Sequence, residues 1–337
     1  MTTRITRRTA LAGITTAGLA APVFVRSASA QAAQVVLYTS NPAQAVEAVT
    51  DVARKALPNI KVSTVTGGSG QLLRRIEAEA AKTQADVFWT SSANTLGAFK
   101  QFYEPYKVKD ADAILPALRH PENLWTAANM HVAVLMVNTA QIGGLPAPKT
   151  YADLLDPKFK GKLIIADPAN SSTGYTILWG IEKLLGADGL KALANNVKQT
   201  ASAPTVLRSV AQGEFPVGLT FESNAYGYVA GGQKEISLVY PADGTFTTPE
   251  FYTLIKGAPG GTAARQVCDL LASKDVQTAL LEIAFRRPVR TDIEVGKIVK
   301  LPELSTIKVF ATDEADAAAQ RKSFLERWAA LAAAAGN

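Results

Sequence analysis

One cysteine and two histidines are all that the 337 residues hold of the side chains that most often ligate transition metals. A single thiol, Cys268, closes no internal disulfide, so the fold must rest on burial rather than on cross-links. It lies in the helical pattern ARQVCDLLAS, three residues before Leu271, where a small buried hydrophobe is expected. His120 and His131 form no ligating pair, which speaks against zinc. His131 sits within the apolar run MHVAVLMV and is expected in the core or at a cleft edge. Aromatic residues make up only 7% and are not interleaved with basic clusters, so no base-stacking platform is predicted. G-x-x-x-x-G-K and G-x-G-x-x-G motifs are lacking. Gly67-Gly68-Ser69-Gly70 is followed by Gln71, so it is not a G-x-S-x-G nucleophile elbow. With no assembled catalytic constellation and no cofactor motif, the sequence reads as a binding protein that needs no cofactor.

Acids are missing from the first thirty residues, which hold Arg7-Arg8, an apolar stretch from Leu11 to Val25 and Ala28-Ser29-Ala30. This is the pattern of an export signal with a small-x-small cleavage site, and the paired arginines resemble a twin-arginine signal. The apolar stretch is too short and too rich in Gly and Thr to span a membrane, and no later run is long enough. The expected compartment is the periplasm. Without the signal's four arginines, 31 basic residues face 29 acidic ones, a net charge of +2. So small an excess gives no support to nucleic-acid binding.

After the signal, β-like runs alternate with helical patterns, which predicts α/β architecture. ANMHVAVLMVNTA is unusually continuous for a strand of one domain, and EISLVYPADGTFTTPEFYTLIKGA is a second long stretch. Two such segments crossing between lobes would make a hinge with a cleft beside it. The expected boundaries are a signal over 1–30, lobe 1 over 31–128 and 247–300, lobe 2 over 129–246, and a C-terminal helical segment over 301–337 packing on lobe 2.

Five loops rich in Ser, Thr, Gly and Asn each follow a β-like run and precede a helical pattern. They carry Thr39-Ser40-Asn41, Gly67-Gly68-Ser69-Gly70, Ser91-Ser92, Ser171-Ser172-Thr173-Gly174 and Glu222-Ser223-Asn224-Ala225-Tyr226. Hydroxyls and free N–H groups at a helix start form an anion cradle. They also make ordinary N-caps. Arg287 in RRPVR is either a bidentate clamp on an anion or part of a surface turn. Glu222 either holds an ammonium group in a donor-lined pocket, caps the following helix, or pairs with an arginine across the hinge. Tyr226 offers a flat wall with a phenol tip.

VVLYTS, ADVFWTSS, VAVLMVNT, TYADLLDPKFKGKLIIADPANSSTGY, QGEFPVGLTFES and YPADGTFTTPEFYTLIKGAP together span nearly the whole mature chain. In them the chain resembles the type II periplasmic solute-binding proteins of ABC importers, in the branch that holds ferric-ion and 2-aminoethylphosphonate binders. The resemblance implies a two-lobed α/β fold, a ligand in the interlobe cleft, delivery to an inner-membrane ABC permease, and a monomer. It implies ligand contacts from Thr39, Ser40, Ser69, Ser91, Ser92, Ser171, Ser172, Thr173, Glu222, Tyr226 and Arg287. The ferric pattern expects a histidine near Asn41, an acid at Ser91 and a tyrosine pair at Ala225-Tyr226. Only Tyr226 and Glu222 remain as anionic metal ligands in that alternative, and ferric ion wants several. A small phosphonate or organophosphate, with 2-aminoethylphosphonate foremost, therefore fits better. An exported hydrolase using a cleft serine is the remaining alternative.

Overall fold

The computed structural model describes residues 32–90, 96, 97 and 99–336, so the expected signal and the predicted contacts Ser91 and Ser92 lie outside the described residues. The chain runs β1 (Ala33–Thr39), α1 (Ala43–Ala56), β2 (Ile60–Thr66), α2 (Ser69–Ala78), β3 (Val87–Thr90), β4 (Tyr103–Glu104) and the long β5 (Thr126–Asn138). It continues through β6 (Leu163–Ala166), α3 (Ser172–Asn196), β7 (Val197–Thr200), α4 (Ala203–Ala211), β8 (Val217–Phe221) and α5 (Glu222–Ala230). The last elements are β9 (Ile236–Val239), β10 (Thr247–Ile255), α6 (Thr262–Ala272), α7 (Lys274–Ala284), α8 (Glu314–Ala319) and α9 (Arg321–Ala334).

The strands form one mixed sheet in the order β2-β1-β3-β10-β5-β8-β6-β7, with β4 added to β10 and β9 to β5. Parallel β1, β2 and β3 build the first half, and parallel β6, β7 and β8 the second. β5 and β10 run antiparallel to each other through both halves. The fold is the two-lobed, type II arrangement with two crossing strands.

β5 is continuous because it is buried on both faces. Its side chains alternate. Ala133, Leu135 and Val137 enter a core with Trp179, Phe324 and Trp328, whereas Val134 and Met136 enter another with Val206, Val210 and Ala225. The first lobe has its own core around Leu37, Phe88, Trp89 and Leu271, and Cys268 is buried in it. Helix α9 lies on α3, its Phe324 ring edge-on to Tyr175 and Trp179 at 5.4 and 5.7 Å. Trp328 Nε1 donates to Gln199 Oε1 at 2.6 Å.

Candidate cleft site

Strand register fixes where the cleft lies. The carboxyl end of β3, Thr90, pairs with Phe251, and the carboxyl end of β8, Phe221, pairs with Ala133. Phe251 and Ala133 stand just either side of the segment where β5 and β10 cross between the lobes. The carboxyl ends of both parallel halves thus converge on the crossing strands, the place where open α/β sheets receive ligands. A third extended segment crosses there too, since Arg287 bridges Met130 and accepts its N–H at 2.9 Å.

Polar side chains cluster on this crossing. Glu250 accepts from Asn129 Nδ2 at 2.9 Å and pairs with Arg286 Nη1 at 2.9 Å. His131 Nε2 lies 2.7 Å from Arg286 Nη1 and 3.2 Å from Glu250 Oε1. Its ring lies flat on Phe221, and its Nδ1 faces Ser223 Oγ at 3.5 Å. With its amide oriented to suit both neighbours, Asn41 donates to Glu250 Oε2 at 3.2 Å and accepts from Trp89 Nε1 at 3.3 Å. Asn41 comes from the first lobe and Ser223 from the second, so the cluster joins both walls.

Burial works against the charge of Glu250, but the Arg286 guanidinium outweighs it and holds its carboxyl well below the usual carboxylate range. Burial lowers the pKa of His131, and the adjacent guanidinium lowers it further. The short contact to Arg286 requires a lone pair on Nε2, so the ring is neutral. The ion-pair distance to Glu250 does not make it cationic.

Burial differs within this cluster. Asn41, His131, Ser223, Glu250 and Arg286 keep 6–8% of their surface, against 1% for Glu222 and 2% for Arg287. Arg286 uses only Nη1 for hydrogen bonds among the described residues. Its Nε and Nη2 take no partner there and are not sealed off. Arg287, by contrast, is closed on Glu222 by two bonds of 2.6 and 2.7 Å, with Tyr240 as a further donor to the carboxylate.

The expected contacts therefore divide. Ser40 is exposed and Ser69 half-buried, and their hydroxyls meet at 2.9 Å, joining the first two loops. Thr39 is sealed, and its Oγ1 accepts from Asn41 N at 3.0 Å, which sets the position of Asn41. Ser171 caps α3 by accepting from Gly174 N at 3.2 Å. Ser172 is exposed, and Thr173 keeps a small accessible tip. Ser171 is the only one of the predicted loop serines, among the described residues, whose side chain makes the helix-capping bond.

Three expectations change. Glu222 does not await an ammonium group, because Arg287 and Tyr240 already hold its carboxylate; this is the cross-hinge pairing among the three readings. Arg287 is accordingly not a free clamp. Tyr226 is not a cleft wall: its ring packs edge-on against Phe285, and its phenol oxygen accepts from Lys300 N at 3.1 Å. Glu222 and Tyr226 are four residues apart on one helical face, which turns toward Phe285, Arg287 and Lys300 while Ser223 turns toward His131. The anionic ligands of the ferric alternative are thus engaged elsewhere. Among the described residues, no group of three or more His, Cys, Asp or Glu is placed to hold a metal. Sequence reasoning missed Asn129, Glu250 and Arg286 as site residues. A carboxylate in the otherwise apolar run PEFYTLI was the available signal for Glu250.

A model of the bacterial extracellular solute-binding protein family matches residues 83–318. The chain belongs to this family. This solute-binding protein is 26% identical to iron uptake protein A2 of Synechocystis, over 89% of its own length and 90% of the relative's. It is 26% identical to a putative 2-aminoethylphosphonate-binding periplasmic protein of Salmonella typhimurium, over 69% and 71%. Its fold matches the periplasmic binding protein AfuA of Actinobacillus pleuropneumoniae, solved with fructose-6-phosphate bound, at a TM-score of 0.76 and 26% identity, covering 88% of this chain and 98% of that one.

Proposed function

We propose that this protein captures a small organophosphonate or organophosphate in the periplasm, with 2-aminoethylphosphonate as the first candidate, and passes it to an ABC permease in the inner membrane. One observation carries the reading: among the described residues, Arg286 keeps two unpartnered guanidinium nitrogens at a crossing where Glu250 is the one acid in contact with it and the other side chains are neutral. A planar guanidinium with free donors suits a phosphonate or phosphate group. Asn41, Ser223 and Thr173 supply neutral donors around it. Hydrogen bonds to a charged group contribute about 1.5–3 kcal/mol each, so four or five reach the roughly 8 kcal/mol of micromolar affinity. When Arg286 turns to the acidic end, Glu250 loses its cationic partner and keeps only the neutral donors Asn129 and Asn41, so an ammonium group in its place favours a zwitterion. The fructose-6-phosphate in AfuA and the name of the Salmonella relative agree with an acidic phosphorus group.

In this reading residues 129–246 form the lobe that closes on the other, and Arg7-Arg8 directs export through the twin-arginine route. Closure follows if the ligand binds the closed form better. The test is calorimetric titration of ligand-stripped protein with 2-aminoethylphosphonate, fructose 6-phosphate and ferric citrate. Micromolar binding of a phosphorus compound is expected, with a loss of at least about 100-fold in Arg286→Gln, as for a charged pair worth about 3 kcal/mol. Absence of heat and thermal shift with both phosphorus compounds, or a response to iron alone, would sink the proposal.

A further inference from the structure

We propose that binding of an anionic ligand at Arg286 places one proton on His131. The inference rests on the organophosphorus reading above and adds a linkage to that site. Its geometric basis is the shared position of His131 Nε2, 2.7 Å from a donor, Arg286 Nη1, and 3.2 Å from an acceptor, Glu250 Oε1. A ring nitrogen presents a lone pair or a proton, never both. Without ligand, the lone pair satisfies Arg286 and leaves Glu250 Oε1 facing it unfavourably. With a proton, Nε2 donates to Glu250 and repels Arg286.

A ligand decides between the two states. An anion that draws the guanidinium toward the cleft removes the donor from Nε2. The nitrogen then faces only a carboxylate oxygen, and a proton from water fills the gap. The anion's own charge also favours an imidazolium beside it. The floor without ligand carries Arg286 and Glu250, which cancel; the extra proton leaves it cationic, matched to an acidic ligand.

The other groups around His131 fit this picture. Thr248 is its backbone partner on β10, and Asn129 lies two residues away on the same face of β5. Phe221 covers one ring face. From α5 come Ser223 and the carboxylate of Glu222, the latter already balanced by Arg287. Glu250 on β10 and Arg286 after α7 are the charged groups in direct contact with the imidazole, so its proton is governed by whichever of them stays. A ligand ammonium group would meet Glu250 at Oε2, the oxygen that Arg286 vacates, so the proton and a zwitterion do not compete for one oxygen.

The experiment is titration at pH 7 with 2-aminoethylphosphonate and, separately, fructose 6-phosphate, in buffers of different ionisation enthalpy. Expected is uptake of close to one more proton per ligand in the wild-type chain than in His131→Gln. Subtraction cancels the ligand's own phosphorus-group titration. Affinity should also rise up to about tenfold per unit fall in pH between the free and bound pKa values, a slope the variant lacks. Because His131→Gln replaces a buried ring, nitrogen-15 spectra of the two histidines in the wild-type chain supply a second readout that needs no variant. His131 should show an imidazolium signal at ligand saturation and a neutral ring without ligand. Binding with equal proton uptake in both chains, or a neutral ring at saturation, overturns the linkage and leaves the ligand reading standing. No heat with either compound overturns both.

Discussion

Arg286 and Arg287 follow one another on an extended segment, where successive side chains leave on opposite faces. One pairs with Glu250 at the strand crossing, and the other is closed on Glu222. Their substitutions should therefore part company. Arg286→Gln is expected to abolish ligand response in calorimetry and to cost less stability than Arg287→Gln, because Glu250 keeps Asn129 and Asn41 as donors. Arg287→Gln strands a buried carboxylate and should cost about 3–5 kcal/mol, read as a large drop in thermal or denaturant midpoint. An equal loss of stability in both variants would contradict the assignment. Acid provides a second residue-scale prediction. Burial and, for His131, the guanidinium beside it lower both histidine pKa values. Below about pH 6.5 the unfolded chain takes up protons that the folded chain refuses. Stability present above that pH should fall as the pH drops through it. Glu250, held low by Arg286, adds a further loss below about pH 4.3. Melting curves from pH 8 to 5 in ligand-free protein test the first step, which should flatten in the double variant His120→Gln, His131→Gln. The residue types of the site were visible in the sequence as loop hydroxyls and acids, but their facing was not. Which of two neighbouring arginines, or of two strand-end acids, meets the cleft depends on partners far along the chain.

At the scale of elements, the loops at strand ends were legible because Ser, Thr, Gly and Asn interrupt apolar runs. The 13-residue length of β5 follows from its nearly continuous burial, in which Asn129 and His131 interrupt the apolar run. The register of β10 was not legible. Its pairing with β5 shifts between Glu250 and Phe251, where Ala128 is passed over. Such a bulge re-aims the side chains of the strand that carries it, here β5, so which β5 residues face Glu250 could not be read by simple alternation along TAANMHV. Gly174 shows a second local demand. A Cβ there would stand 2.1 Å from the carbonyl oxygen of Ala166, so α3 starts pressed against the end of β6. Gly174→Ala should force that helix start away. Expected are a melting temperature lowered by several degrees and weaker ligand binding, through displacement of Ser171 and Thr173. Unchanged binding in a folded variant would remove those two residues from the site.

The molecule as a whole has a two-lobed fold that alternation of strands and helices, together with two long crossing runs, made readable. Its third crossing segment, at Arg287, was hidden because RRPVR looks like a surface turn. If the lobes close on a ligand, small-angle scattering of the wild-type protein should show a smaller radius of gyration with 2-aminoethylphosphonate, and Arg286→Gln should show none. The sheet order also bears on how the chain acquires its shape. Strands β6, β7, β8 and β9 and the latter part of β5 lie within one continuous stretch of chain and pair among themselves. β3, near residue 90, borders β10, near residue 252. Loop closure over so long a separation is slow compared with nearby pairing. During synthesis, the first hundred residues must wait, with the flank of β3 uncovered, until β10 has emerged. The later-made half is thus free to set first, and it delivers to the earlier half the strand that completes it.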